Sequence, residues 1–224
     1  MGYYIDLSEI TLEAYRAKLL NVSLSPGRRV LKDRTEERFD RFREAGITNV
    51  QELMNLLKNK KRFAELTEEE CFSDGYLTIL LRELKSMLPK PVRLSDLYGI
   101  SQETVEILGR MGLSTTEKLY PLVLTGEQRR RLAGSTGIGA GEVLDLAMLT
   151  DLSRIKWAGP LFVRMLADLG RGCVRKVAES DPEELHEAIN ELNREREYFR
   201  GKIGLNDIRI FVEAAGELPV EMDL

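Results

Sequence analysis

Apolar residues recur along the chain at spacings of three and four residues, which is the period of one face of an α-helix. Phe39, Phe42 and Ala45 illustrate this spacing, and the run ends at a glycine, Gly46. Comparable runs follow along the sequence, and their spacing is that of helices rather than of strands. The pattern therefore predicts an all-α fold.

The apolar positions also repeat over a longer distance. At an offset of 66 residues, without a gap, apolar residues of one segment coincide with apolar residues of the next. The matched pairs include Leu31 and Leu97, Phe39 and Val105, Phe42 and Leu108, Leu53 and Leu119, Leu66 and Leu132, Leu77 and Val143, and Leu80 and Leu146. A third copy follows at an offset of 58 residues, with an insertion at the charged run 193–197. We therefore predict three tandem repeats.

Glycines and capping residues mark the ends of helices within these repeats. Gly46 and Gly112 lie at equivalent positions where a helical segment stops, and glycine there favours the left-handed conformation that ends a helix. Directly afterwards, Thr48 and Ser114 are each followed three residues later by Gln or Glu, which matches the capping box of a helix start. A helix, a glycine stop and a capped start together predict a helical hairpin in each copy.

The repeats divide the chain into four predicted segments. The segments are residues 1–30, 31–90, 91–150 and 151–224. The first is a cap with one helix from Ser8 to about Asn21, which would cover the open end of a repeat array. Pro89 and Pro91 separate the first repeat from the second because proline cannot continue a helix.

The hairpins resemble the helix-hairpin-helix motif, and the middle copy carries the resemblance best. It has a short helix ending at apolar residues, the turn Gly99–Ser101, and a second helix that closes at Gly112. Residues 151–207 resemble, more closely, a prokaryotic family of helix-hairpin-helix repeat proteins whose function is unassigned. The resemblance spans roughly residues 31–216 and implies a fold without implying a role.

In helix-hairpin-helix proteins at large, two turn glycines and the first amides of the second helix bind a nucleic-acid phosphate. The corresponding turns here are Asp33-Arg34-Thr35, Gly99-Ile100-Ser101 and Trp157-Ala158-Gly159. None of them keeps both glycines, since the first presents a carboxylate and the third an indole, although the third retains Gly159. The resemblance therefore implies an anion site at Gly99, Ile100 and Ser101, with Ser101 able to cap its helix.

Two clusters of basic residues lie at similar positions in the first and second repeats. They are Lys58, Lys60, Lys61 and Arg62, and Arg129, Arg130 and Arg131. Together they would form a positive stripe along one edge of the array and contact phosphates. The alternative is that both runs are solvated helix faces, and the acidic residues at 65 and 68–70 cancel much of the first field.

The composition provides no parts for catalysis. Cys71 and Cys173 are far apart, and the single histidine, His186, has no ligand or nucleophile at a recognisable spacing. We therefore predict no metal, no cofactor, no catalytic residue and no enzymatic activity. Residues that converge only in space would escape this argument, so an enzyme remains a third class of function.

The charge and hydropathy of the chain bound its partners. The net charge is −4, whereas a nucleic-acid-binding domain is typically strongly basic. No stretch approaches the ~18 apolar residues of a membrane helix, and the first residues lack a signal-peptide pattern. We therefore expect a cytoplasmic protein without a membrane partner.

Two non-catalytic functions remain open. The first is sequence-independent binding of a DNA or RNA backbone through the middle hairpin and the basic edges. The alternative is a protein-interaction or scaffold module that has lost its phosphate-binding turns, as the net negative charge favours. Trp157, at a hairpin tip, fits packing between neighbouring units as well as stacking on a base or docking a partner.

Overall fold

The computed structural model describes residues 2–224, and the regular elements in that range are helices. The prediction of an all-α fold is therefore confirmed. Isolated β-bridges join Thr11 to Asn49 and Arg93 to Thr115. Within the described range, no helix combines the length and the apolar character that crossing a bilayer requires. The residues group into two compact units.

The small unit comprises Ile5–Leu88. Its α-helices are α1 (Leu12–Asn21), α2 (Thr35–Glu44), α3 (Val50–Lys58), α4 (Lys60–Thr67) and α5 (Asp74–Ser86), and a 3-10 helix spans Pro26–Lys32. The apolar faces of these helices enclose one core, whose fully buried members include Leu31, Phe42, Leu53, Leu77 and Leu80. These are positions of the three- and four-residue pattern, so amphipathic periodicity accounts for the packing.

The large unit comprises residues 2–4 and Pro89–Leu224. Its α-helices are α6 (Gln102–Arg110), α7 (Thr116–Leu119), α8 (Gly126–Thr136), α9 (Ala140–Leu152), α10 (Pro160–Asp168), α11 (Val174–Ala178), α12 (Pro182–Arg196) and α13 (Leu205–Gly216), with 3-10 helices at Leu94–Asp96 and Tyr120–Leu122. One continuous core runs through them and includes Leu108, Leu119, Leu146, Val163 and Ile189. The second and third predicted repeats therefore share their buried apolar surface.

Arg154 is a charged residue at the centre of the large unit and is 1% exposed. Its guanidinium donates to the carboxylate of Asp151 at 2.6 Å, and Asp151 also accepts from the amide of Val174 at 2.9 Å. The same guanidinium donates to the carbonyl oxygens of Tyr3 at 3.1 Å and Pro219 at 2.9 Å. A buried ion pair persists when its remaining polar atoms are hydrogen-bonded in this way. Arg154 thus joins three distant parts of the sequence.

Left-handed glycines end three equivalent helices. The backbone φ is +82° at Gly46 after α2, +78° at Gly112 after α6 and +73° at Gly170 after α10. Glycine adopts this conformation without the steric cost that a Cβ brings. The predicted helix stops at Gly46 and Gly112 are therefore confirmed.

The predicted helix starts after these glycines are wrong by one residue. The cap of α3 is Asn49, whose side chain accepts from the amide of Glu52 at 2.9 Å, and the cap of α7 is Thr115. Thr48 instead donates its hydroxyl to the carboxylate of Glu52 at 2.8 Å. The residue whose oxygen reaches the third helical amide is the cap, and here that residue follows Thr48 and Ser114.

Helix α1 begins at Leu12, four residues later than the predicted start at Ser8. The amide of Ser8 donates to the carboxylate of Asp6 at 2.9 Å, which holds a local turn in place of a helix. Thr11 caps the helix by accepting from the amide of Ala14 at 3.1 Å. The side-chain bonds of Asp6 and Thr11 thus delay the helix.

Helices recur along the chain at the offsets found in the sequence. Helices α5 and α9 span residues 74–86 and 140–152, and α4 and α8 begin at residues 60 and 126. Helices α7 and α11 begin at residues 116 and 174. The grouping into three helix-hairpin-helix repeats stays a prediction, as do its boundaries, and the boundary between residues 150 and 151 falls within α9.

Candidate functional site

The turn Gly99–Ser101 connects the 3-10 helix at Leu94–Asp96 to α6. Gly99 has a φ of +86°, and Ser101 caps α6 by accepting from the amide of Thr104 at 3.1 Å. The predicted capping role of Ser101 is confirmed, and Ile100 is half-buried against the large core. The local geometry is therefore that of a turn that presents helix amides outward.

A carboxylate of the protein itself accepts hydrogen bonds at this turn, from one amide and one hydroxyl. The amide of Ser101 donates to Oε1 of Glu142 at 2.8 Å, and the hydroxyl of Thr104 donates to Oε2 at 2.8 Å. Partial burial works to raise the pKa of Glu142, but the hydrogen bonds from Ser101 and Thr104 outweigh it and lower the pKa. Glu142 is therefore an anion, and it lies where the resemblance implied a phosphate.

The second basic cluster is partly engaged within the protein. Arg129 donates to the carboxylate of Asp223 at 2.7 Å and to three backbone carbonyl oxygens at 2.8, 2.9 and 3.3 Å. Arg131 forms an ion pair with Glu127, whereas Arg130 is exposed. Only part of the positive charge predicted here faces solvent without an acidic neighbour.

The first basic cluster belongs to the small unit and surrounds the start of α4. Lys58, Lys60, Lys61 and Arg62 are all exposed. Lys61 and Arg62 lie 3.9 and 3.8 Å from the carboxylate of Glu65, distances typical of weak surface pairs. A common stripe with Arg129–Arg131 stays a prediction, because the two clusters belong to different units.

A groove of about 490 Å³ lies in the large unit between the turn before Gly99 and the start of α10. We call it the hairpin groove, and its lining consists of Ser95, Asp96, Leu97, Tyr98, Gly159, Pro160 and Leu161. The middle turn packs close to α10, since a Cβ placed on Gly99 would lie 3.3 Å from the guanidinium of Arg164. The structure therefore brings the predicted residues Gly99 and Gly159 to neighbouring turns.

The walls of the hairpin groove combine apolar and polar surfaces. Tyr98 is 52% exposed on one wall, and Pro160 and Leu161 are half-buried on the other. The carboxylate of Asp96 accepts from the guanidinium of Arg93 at 2.9 and 3.1 Å, so a cation lies beside its charge. The groove lining thus combines an exposed aromatic ring with half-buried apolar side chains.

Trp157 lies in the turn that leads to the groove. Its backbone φ is +67°, a left-handed value that costs a residue with a Cβ on the order of 1 kcal/mol. The side chain is 44% exposed, and the ammonium of Lys156 lies 4.6 Å from its ring centre. In the predicted alignment this position matches Gly99, so a bulky ring replaces glycine despite the strain.

Helix α10 begins without a side-chain cap. Gly159 is its N-cap residue and has no side chain to accept a hydrogen bond, and Pro160 follows at the first helical position. The first amides of a helix find no acceptor within the helix, and they form its positive end. An acceptor supplied by a ligand in the groove would therefore be favoured at this position.

The sequence did not reveal the roles of Glu142 and Tyr98. Glu142 lies 41 residues after Ser101 and meets it only through tertiary packing. Tyr98 could have been found from its position directly before a turn glycine, because an exposed ring at a turn is not needed for packing. Within residues 2–224, no group of three or more His, Cys, Asp or Glu side chains is arranged to hold a metal ion.

Comparisons with known proteins bear on the large unit. A family model described as a domain of unknown function, DUF4332, matches residues 98–218. The match covers more than half of the 224-residue chain. It contains the groove residues Tyr98, Gly159, Pro160 and Leu161. Neither the comparison with curated proteins nor that with solved structures gave a match.

Proposed function

This chain belongs to the DUF4332 family, a domain of unknown function, and we propose that it is a non-catalytic module that binds a segment of a partner protein. The segment is extended, places an apolar or proline side chain in the hairpin groove, and directs a carboxylate to the start of α10. Nucleic-acid binding through Gly99, Ile100 and Ser101 is the competing function.

The observation that carries this proposal is the position of Glu142. A phosphate that approached the Ser101 amide would have to displace a carboxylate that accepts two hydrogen bonds of 2.8 Å. It would also meet the negative charge of Glu142 at close range, which is unfavourable. The anion site implied at the middle hairpin is therefore used by an internal contact, which supports a module that does not bind a phosphate there.

The hairpin groove supports a peptide ligand. Its volume of about 490 Å³ lies within the range of ligand-binding clefts, which are about 300–1,000 Å³. Exposed aromatic rings are frequent anchors of protein interfaces, and such rings are Tyr98 in the groove lining and Trp157 in the turn that leads to it. Strain retained at Trp157 is consistent with a function for its ring, because a glycine would fit the turn better.

Charge supports an acidic segment. The start of α10, which has no side-chain cap, is the positive end of a helix. The one acidic side chain in the groove lining, Asp96, is paired with Arg93. A carboxylate of the partner would therefore find donors at this end of the groove.

We further propose that the fold consists of three consecutive helix-hairpin-helix-like units. The left-handed glycines Gly46, Gly112 and Gly170 and the recurring helix bounds support this division. The left-handed residues Gly99 and Trp157 precede α6 and α10 at matching positions, whereas the first unit has its left-handed residue at Arg34, directly before α2. The first unit thus departs from the other two at its turn.

The test is a selection of peptides from a random display library on the full-length protein, followed by affinity measurements on the enriched peptides. We expect enriched sequences to combine Asp or Glu with proline or apolar residues. Trp157→Gly removes the ring and relieves the backbone, so it should keep the fold and weaken binding by at least about tenfold. Tyr98→Ala should have a similar effect.

The matched control is Leu122→Ala, because Leu122 is an exposed apolar residue, 38% accessible, outside the hairpin groove. This variant should bind the peptides as the wild type does. The same proteins are titrated with a mixed-sequence DNA duplex and single strand over a salt series. Peptide binding that survives Trp157→Gly would contradict the proposal, and DNA binding that falls steeply with salt would favour the nucleic-acid function.

A further inference from the structure

A second cavity, of about 390 Å³, lies in the large unit away from the hairpin groove. We call it the tyrosine cavity, and its lining consists of Gly2, Tyr3, Tyr4, Glu117, Tyr120, Pro121, Leu124 and Glu221. It is formed where residues 2–4 meet α7, the following 3-10 helix and the C-terminal segment. Neither the family match nor the proposed protein-binding function assigns a role to it.

Three tyrosine rings pack edge to face in the lining of this cavity. The rings of Tyr3 and Tyr4 lie 5.0 Å apart at 85°, and those of Tyr3 and Tyr120 lie 5.6 Å apart at 87°. Tyr3 is fixed by a hydrogen bond of 2.8 Å between its hydroxyl and that of Thr116. Burial raises the pKa of all three phenols, so the rings stay neutral at physiological pH. Perpendicular neutral rings of this kind surround cations in aromatic cages.

The charged residues in the described lining are both acidic. Oε2 of Glu221 accepts from the hydroxyl of Tyr120 at 3.3 Å, whereas its Oε1 is buried and has no hydrogen-bond partner among the described residues. Glu117 is exposed at the same cavity. A buried carboxylate oxygen without a donor is costly, and a cationic donor would remove that cost.

The nearest buried cation does not fill this need. The guanidinium of Arg154 lies 4.8 Å from the ring centre of Tyr120, but its charge is paired with Asp151. Its donors are directed to Asp151 and to the carbonyl oxygens of Tyr3 and Pro219. Arg154 therefore gives no donor to Oε1 of Glu221.

We propose that the tyrosine cavity binds an alkylammonium group, either the side chain of a lysine or a free amine. The ammonium donates to Oε1 of Glu221, Glu117 adds attraction at the entrance, and the alkyl stem lies against the tyrosine rings and Leu124. A metal ion is a poorer fit, because one carboxylate and aromatic rings do not supply the several oxygen ligands that hard cations require.

The test is an NMR titration of the full-length protein with n-butylammonium, with the tripeptide acetyl-Gly-Lys-Gly-amide, and with n-butanol as the neutral analogue of similar shape. We expect at least one ammonium probe to bind and n-butanol to bind at least about tenfold more weakly. Binding of the tripeptide alone indicates a lysine of a partner, and binding of n-butylammonium alone indicates a free amine.

Two variants and a control decide the assignment. Glu221→Gln should weaken ammonium binding by about tenfold or more, because it removes the charge and leaves the shape. Tyr4→Ala, at a partly exposed ring, should also weaken it and serves if Glu221→Gln fails to fold. Glu187→Gln, at an exposed residue of α12, should bind as the wild type. Equal binding of n-butanol, unchanged binding by the folded variants, or no binding of either ammonium would overturn the proposal.

Discussion

Two charged side chains, Arg154 and Glu142, show how single residues organise the large unit. Each forms hydrogen bonds with groups that lie far away in the sequence. The charge of Arg154 is also paired with the carboxylate of Asp151. Arg154 is 1% exposed and links Tyr3 to Pro219. Glu142 is half-buried and accepts hydrogen bonds from the start of α6. Their loss should therefore have different consequences for stability.

Replacing Arg154 with alanine should be strongly destabilising. The change leaves the carboxylate of Asp151 buried without its cation, and such losses typically cost about 3–5 kcal/mol. Arg154→Lys keeps the charge but loses the forked geometry, so its free energy of unfolding should lie between those of the wild type and Arg154→Ala. The measurement is urea unfolding, with Arg194→Ala on the exposed face of α12 as control. A loss no larger than that of the control would refute the central role of Arg154.

The stabilising effect of Glu142 should depend on pH. Its pKa in the folded protein is lowered below the ordinary value of 4.5 by the bonds from Ser101 and Thr104, which exceed the opposing effect of burial. A carboxyl whose pKa is lowered on folding stabilises the fold at pH values above its ordinary pKa. That stabilisation is lost as the pH falls through the pKa of the folded protein. The difference in unfolding free energy between wild type and Glu142→Gln should be constant from pH 7 to about pH 5.

Below about pH 4.5 that difference should shrink, since the wild-type carboxyl becomes protonated and loses its advantage over the amide. The comparison is made by urea unfolding at a series of pH values. Glu103→Gln, at an exposed residue of the first turn of α6, is the matched control. A difference that stays constant down to pH 3 would contradict the assigned contact.

At this scale, the sequence predicted local partners and missed distant ones. Ser101 was identified as a cap because its partner, the amide of Thr104, is three residues away. Glu142 was missed because helix packing, rather than spacing, brings it to the Ser101 amide. The same limit applies to Glu221, whose bond to Tyr120 spans 101 positions.

At the scale of elements, helix identity followed from periodicity, whereas helix ends depended on competing side-chain bonds. The glycine stops were predicted because a left-handed residue has a strong compositional signal. The starts of α3 and α7 were placed one residue early because Thr48 and Asn49, or Ser114 and Thr115, are all capable caps. Composition alone does not decide which hydroxyl or amide oxygen reaches the third amide.

Two glycines near the end of α6 should respond in opposite directions to alanine. Gly112 has a φ of +78°, so Gly112→Ala should destabilise the protein by about 1 kcal/mol. Gly109 lies within the helix, and a Cβ placed on it would meet no other atom within 4 Å, so Gly109→Ala should stabilise by about 0.4–1 kcal/mol. Thermal and urea unfolding of the two variants measure both effects. Changes of the same sign would show that φ at Gly112 does not control this helix end.

At the scale of the whole molecule, the two units each have a separate core. The buried apolar residues of the small unit all come from residues 5–88. The core of the large unit instead combines residues of the second and third predicted repeats with Tyr3. Periodicity predicted the repeats but not this unequal partition, which depends on which helix faces meet.

The two cores predict different behaviour for fragments. A fragment of residues 5–88 should unfold cooperatively, because it retains its complete core. A fragment of residues 89–152 should not, because the apolar surface that it shares with residues 155–222 would be exposed. Circular dichroism during heating and urea titration distinguishes a cooperative transition from a gradual one. A cooperative transition in residues 89–152 would contradict a shared core.

The bond between Tyr3 and Arg154 has a consequence for biosynthesis. The residues of the small unit are synthesised before residues 89–224 and can fold while translation continues. Tyr3 precedes them, but its partner Arg154 is 151 positions away, which corresponds to roughly 8–30 s of synthesis at about 5–20 residues per second. For that interval Tyr3 lacks the residues that bury its ring in the complete large unit, so the ring stays exposed to solvent.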